Sequence, residues 1–265
     1  MTEEYKGTAL VTGASTGIGS IYAERLAQRG YDLILVARNR ERLNALASRL
    51  TTETGRNVEV IQADLAKTDD VFHVERKLRE DATITLLVNN AGVGTHTPLL
   101  ESDVDRMVEM INLNVTAVTR LAYAAAPGFV ARQQGAIINI SSIVSLAPEL
   151  LNGVYGGSKA YVTAFSQSLH RELGPKGVQI QAVLPGATAT DFWKIGGLPV
   201  ENLDPNIVMS PSDLVDAALQ DFDAQVLISI PSMHDLKRYQ DYESSRQAMF
   251  EHLSSNQLAP RYNAN

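Results

Sequence analysis

Short apolar runs alternate along the chain with longer amphipathic stretches. The runs cover 8–11, 33–36, 58–61, 86–89, 136–140, 179–184 and 226–230. Several are apolar almost throughout, which is the pattern of a strand covered on both faces. The stretches between them carry helical spacing, as in 41–50 with Leu43, Leu46 and Leu50 on one face. Strand–helix alternation sustained this way predicts an α/β protein with a parallel sheet and helices on both sides. Right-handed crossovers make a doubly wound sheet the expected topology, filling residues 1–265 as a single domain. Further helices are expected over 20–28, 105–125 and 153–173, and a polar one over 235–253. The stretch 186–211 breaks the rhythm: it holds Gly196, Gly197, Pro199 and Pro205 beside Phe192 and Trp193. An irregular segment of that length inside a compact domain is expected to be a substrate lid.

Composition narrows the function classes. The net charge is −7 and no Lys/Arg run resembles the basic face of a nucleic-acid binder. With Cys 0, disulfides, thiolate catalysis and cysteine-held metals are excluded. His73, His96, His170, His234 and His252 lack metal-ligand spacing, so no metal is expected. Residues 1–7 do not read as a signal peptide, and no apolar run approaches the roughly 20 residues of a spanning helix. The expectation is a soluble, cytoplasmic protein with no membrane partner.

The first apolar run hands over to Gly13, Ser15, Thr16, Gly17, Ile18 and Gly19, a G-x-x-x-G-x-G turn opening a helix. Glycines let backbone approach a pyrophosphate, and the helix N-terminus aims its N–H groups at it. This is the signature expected of a Rossmann-type dinucleotide site. After the second run comes Arg38 where an NAD binder usually carries an acid. Its planar fork suits the extra phosphate of NADP. Asp64-Leu65 after the third run suits either an adenine contact or a plain helix N-cap.

Tyr155 and Lys159 sit four apart, on one face of a predicted helix. A phenol titrates near 10. An ammonium about 4 Å away is worth roughly 4 kcal/mol at an effective dielectric of 20, enough to lower the phenol by up to about three units. Ser141-Ser142 ends the fifth run and Asn89-Asn90-Ala91-Gly92 the fourth, at the carboxyl ends where parallel sheets carry their functional groups.

Together these residues, with Thr12, Asn114 and Pro185-Gly186, resemble the short-chain dehydrogenase/reductase family in order and spacing. The resemblance implies an NADP(H)-dependent oxidoreductase interconverting a carbonyl and a secondary alcohol. Tyr155 would be the acid in reduction and the base in oxidation. Ser142, favoured over Ser141 by its spacing to Tyr155, would hold the substrate oxygen. Lys159 would bind the nicotinamide ribose and lower the pKa of Tyr155, and Asn114 would hold a relay water. Asn90, with Ala91 and Gly92, would brace the cofactor, and Pro185, Gly186, Thr188 and Thr190 would line the nicotinamide. A small-molecule carbonyl or alcohol is the expected substrate. It would be hydrophobic if Ile143, Val144, Leu146, Ala147, Phe192, Trp193, Ile195 and Leu198 line the pocket rather than merely pack the loop. An NAD-dependent alcohol dehydrogenase and a non-catalytic NADP-binding sensor are the alternatives. Many members end on an Asp-Gly-Gly strand; here 226–230 runs into Pro231-Ser232-Met233-His234. That departure puts a tetramer second to a homodimer built on the helices around 105–125 and 153–173. His96 reads as a surface histidine rather than a group at the site mouth.

Overall fold

The computed structural model describes residues 5–262. Its core is a seven-stranded sheet of β1 (Thr8–Thr12), β2 (Asp32–Ala37), β3 (Val58–Gln62), β4 (Ile84–Asn89), β5 (Gly135–Ile140), β6 (Val178–Val183) and β7 (Ile228–Ser229). Every pairing is parallel and the order is β3-β2-β1-β4-β5-β6-β7. The order reverses between β1 and β4, so the crevice above these two strands is the switch point where such sheets bind ligands. This is the doubly wound Rossmann-type sheet that the alternation predicts.

The inner strands read as continuous apolar runs because they are buried on both faces, whereas β3, at the sheet edge, leaves Glu59 and Gln62 exposed. Ala9 and Val11 of β1 face one core with α1 (Gly17–Gln28), α2 (Arg40–Thr54) and α8 (Pro211–Asp223). Leu10 faces the other, with α3 (Thr68–Glu80), α5 (Val118–Arg132) and α6 (Gly153–Leu173). Leu43, Leu46 and Leu50 are buried as their spacing demands. Asn39 caps α2 by accepting from Arg42 N, and Gly55 ends it at φ 71, where a side chain would be strained.

Four elements differ from the sequence expectation. The last strand is only two residues long, because Gln225 turns at φ 58 and β7 is the sheet edge, meeting β6 alone. The helix expected over 105–125 is α4 (Val104–Ile111) and α5 joined by a π-helical segment, Asn112–Ala117. The segment 186–211 contains a short helix, α7 (Asp191–Ile195), and two 3-10 turns. The compact unit Met1–Ser232 holds the whole sheet; a second unit, Met233–Asn265, holds α9 (Leu236–Ala248), shorter than the helix expected over 235–253. Among the described residues no helix is long and apolar enough to cross a membrane.

Candidate active site

The turn from β1 to α1 is an open cradle for an anion. Gly17 starts α1 at φ 58, and Thr16 before it makes no capping bond through its side chain. No acid lies in the first turn. The first N–H groups of a helix have no intrahelical partner, so here they are left for a ligand. Gly13 stands at φ 66, and a Cβ there would come within 2.9 Å of Ala91 Cα. Asn90 Nδ2 donates to Thr12 O at 2.8 Å and to Gly13 O at 3.2 Å, tying the loop after β4 to this turn. The Thr12 hydroxyl accepts from Asn90 N and Ala91 N and donates to Val88 O. The glycine turn is therefore bolted to β4 at the switch point. A dinucleotide's pyrophosphate fits these residues: the backbone is bare, the donors are free and the charge at the helix start is not already neutralised.

Arg38 directly follows β2 with an exposed side chain, while its carbonyl accepts from Gln62 Nε2. Arg42 leans toward Asp191 at 3.5 Å. Asp64 is half-buried and accepts from Ala66 N at 3.2 Å. It closes a turn and does not cap α3, whose cap position is Lys67. The Leu65 side chain lies in the core with Ile61, Val71 and Val74, so only its backbone is available to a cofactor. Ile18 likewise packs against the other core.

Tyr155 and Lys159 lie on α6, whose start is capped by Asn152 accepting from Val154 N and Tyr155 N. Both side chains are buried. Burial pushes the Tyr155 phenol up to about 12, and a hydrogen bond with Ser142 pulls it partly back. Burial also pulls the Lys159 ammonium down to about 8. Its Nζ donates to Ile140 O at 2.9 Å. Desolvation of the phenolate is the largest influence on Tyr155, and the expected lowering by Lys159 is not among the others, its ammonium being itself desolvated and turned to a backbone carbonyl. The phenol stays protonated at neutral pH, the form that donates a proton.

The two serines separate cleanly. The Ser142 hydroxyl faces Tyr155, whose phenol it pulls toward a lower pKa, while it donates to Pro185 O at 3.4 Å and accepts from Val144 N at 3.3 Å. Ser141 points the other way, donating to Lys159 O at 2.7 Å and bonding the Thr163 hydroxyl at 2.8 Å. It clamps the end of β5 to the turn of α6 that carries Lys159. Asn114, in the π-helical segment, accepts from Val93 N at 3.0 Å and donates to Val93 O at 2.8 Å and Ser158 Oγ at 3.1 Å. Ser158 in turn donates to Tyr155 O at 2.8 Å. A Cβ on Gly92 would come within 3.2 Å of Asn114 Oδ1 and 3.4 Å of Lys159 Nζ, so these two polar groups face the same glycine.

The mouth of the site is closed by the segment after β6. Pro185 O accepts from Ile143 N, and the Thr188 hydroxyl donates to Gly186 O. Thr190 lies over the glycine turn: a Cβ on Gly17 would come within 3.0 Å of its Cγ2. Phe192 stands 5.8 Å from Tyr155, ring to ring. The cleft before Tyr155 is lined by Gly94, His96, Leu151, Phe192, Trp193 and Leu198 among others. His96 is exposed, yet Nδ1 lies 2.9 Å from Gly196 O. It belongs to the mouth, contrary to the reading of a surface histidine alone. Ile195 remains largely exposed and Ile143 is 36% exposed, while Val144 is buried beside Tyr155.

Asn114, Ser142, Tyr155, Lys159, the glycine turn, Asn90 to Gly92 and Pro185 to Thr190 come together at the carboxyl ends of β1, β4, β5 and β6, as the sequence predicts. Thr12, Ser158 and the clamp made by Ser141 were missed as working parts. Their signal was faint: a hydroxyl beside each motif, with nothing in spacing to say which backbone atoms it meets. Among the described residues no three His, Asp or Glu side chains gather as a metal site.

A family model described as short chain dehydrogenase matches residues 7–195. The very-long-chain 3-oxoacyl-CoA reductase of Anas platyrhynchos is 38% identical over 191 residues, which is 71% of this chain and 61% of that protein. The chain therefore matches less than two thirds of that relative's length. A short-chain dehydrogenase from Sphingobium yanoikuyae, solved in complex with NADPH, is 47% identical with a TM-score of 0.94, covering 97% of this chain and 99% of that one. A bulky-bulky ketone specific alcohol dehydrogenase from Comamonas testosteroni is 43% identical with a TM-score of 0.90, covering 98% and 99% respectively.

Proposed function

The chain belongs to the short-chain dehydrogenase family, and from that premise we propose that it is an NADPH-dependent oxidoreductase interconverting a ketone and a secondary alcohol on a hydrophobic small molecule. One observation carries the reading: a buried phenol facing a buried serine hydroxyl, one helical turn from a buried amine, beside an open glycine cradle. When bound, NADPH supplies the hydride. The backbone of Gly17, Ile18 and Gly19 would hold its pyrophosphate, and Arg38 the additional phosphate. Ser142 and Tyr155 would meet the carbonyl oxygen with preorganised donors, and Tyr155 would give that oxygen its proton as charge builds on it. Lys159 and Asn114, gathered round Gly92, would position the ribose and carry the replacement proton. The NADPH complex of the Sphingobium relative supports the cofactor, and the named specificity of the Comamonas relative supports a ketone with two sizeable substituents.

We further propose a homodimer, supported by the exposed apolar residues Val104, Val108 and Ile111 of α4 and Tyr123 of α5, and a cytoplasmic location.

The test is NADPH absorbance loss with a panel of ketones. Tyr155→Phe should cut kcat by about 10²–10⁴, the range for a positioned acid, while leaving NADPH binding within a few-fold. Arg38→Asp should swing kcat/KM from NADPH toward NADH. No NADPH oxidation with any ketone, and no NADP reduction with any alcohol, would overturn the reading.

A further inference from the structure

The cleft before Tyr155 is too small for a ketone. About 20 Å³ is left there, room for one or two water molecules, whereas bound small molecules fill clefts of roughly 300–1,000 Å³. The space is taken by Phe192. Its ring leans on Tyr155 and reaches the backbone of the loop after β4. A Cβ built on Gly94 would overlap the tip of that ring and stand 3.1 Å from Tyr155 Cε2. Gly94 is thus the bare floor of a slot whose wall is Tyr155 and whose present filling is a phenyl ring. Leu151 also lines it.

The segment carrying Phe192 is held in a way that permits it to leave. Its base is fixed: Ala189 N donates to Met209 O at 2.9 Å and Met209 N to Ala187 O at 2.8 Å. Beyond that base, three isolated side-chain contacts hold it down, one of them the exposed pair of Arg42 and Asp191 at 3.5 Å. Trp193 Nε1 donates to Thr188 O at 3.0 Å, and His96 Nδ1 meets Gly196 O at 2.9 Å. Gly196 and Gly197 follow directly, Gly197 at φ 89, and absorb backbone rotation that other residues resist. Phe192 itself is only half-buried, so its departure leaves the two main cores intact.

We propose that Phe192 is the specificity-determining gate of the carbonyl site. In the closed form its ring occupies the subsite between Gly94, Leu151 and Tyr155. A substrate reaches Tyr155 only by displacing it, and the substituent that takes its place is a flat apolar ring, aryl or cycloalkyl. The inference rests on the proposed oxidoreductase reading and adds the substrate class to it.

A specificity ratio tests it. The ratio of kcat/KM for an aryl alkyl ketone to that for a small aliphatic ketone is compared in the wild type, Phe192→Ala, Phe192→Leu and Gly94→Ala. Phe192→Ala should raise the ratio at least tenfold and Phe192→Leu by less, because the gate is lost or shortened. Gly94→Ala should lower it, because a methyl enters the slot. Wild-type turnover with a ratio unaltered in Phe192→Ala overturns the gate alone. Absence of turnover with any carbonyl overturns the oxidoreductase reading and the gate with it.

Discussion

Lys159 illustrates how strongly burial sets the chemistry of single residues here. Its ammonium is enclosed and pulled from the usual 10.5 to about 8, with one backbone carbonyl as the bond in reach. An amine whose folded-state pKa lies below its unfolded one destabilises the fold wherever it is charged. The penalty is full below pH 8, fades as pH rises toward 10.5, and is absent above it. Lys159→Met should accordingly raise stability at pH 7 by up to about 3 kcal/mol, at 1.36 kcal/mol per pKa unit, less the loss of the bond to Ile140. At pH 10.5 the gain should be gone. Urea unfolding at both pH values checks this, and an equal gain at both would contradict a charged, buried Lys159. Such a variant, stabler yet inactive, is what a group retained for function rather than for folding predicts. Tyr155 is the companion case: the pair was readable from its spacing, but not the sign of the net shift. Sequence spacing gives proximity, while the shift depends on how much water the fold removes.

At the scale of elements, the helix from Val104 to Arg132 does more than cover the sheet. Its π-helical segment brings Asn114 inward, where both ends of the amide engage Val93 and the Nδ2 also reaches Ser158. An extra residue in one helical turn shifts the register of the following side chains, and such turns occur at functional sites. Asn114→Ala should orphan Val93 N and O, each worth about 1–3 kcal/mol when buried and unpaired. Activity should fall more than NADPH affinity, because the loop from Gly92 to Gly94 borders the carbonyl cleft rather than the glycine cradle. Chemical unfolding, kcat and a cofactor Kd measured side by side would show it; an unchanged kcat would remove Asn114 from the site's architecture. The sequence predicts a helix here and a polar residue in it. It gives no sign of the π turn, because that turn arises from what the amide bonds across space.

On the scale of the whole molecule, the seven strands and both apolar cores lie within Met1–Ser232. The α9 helix has no buried residue of its own. A chain ending at Ser232 should therefore still unfold in one cooperative step, with a Tm within a few degrees of the full chain, by circular dichroism. Loss of the transition would show that the sheet depends on the residues beyond. Sedimentation of both forms would report at the same time on the proposed homodimer.

What the sequence determined by itself is the doubly wound sheet and the roster of the site. Strands buried on both faces must be apolar throughout, helices must repeat at their own period, and a phosphate turn must be bare of side chains. Those are local constraints and leave local marks. How those residues work on one another follows from the way the chain folds back on itself. Ser141 clamps while Ser142 faces Tyr155, Lys159 turns to Ile140 O, and Phe192 fills the slot above Gly94. Each depends on atoms from distant parts of the chain meeting in space, and on the water excluded where they meet; neither quantity is written in the order of residues along a single strand or helix.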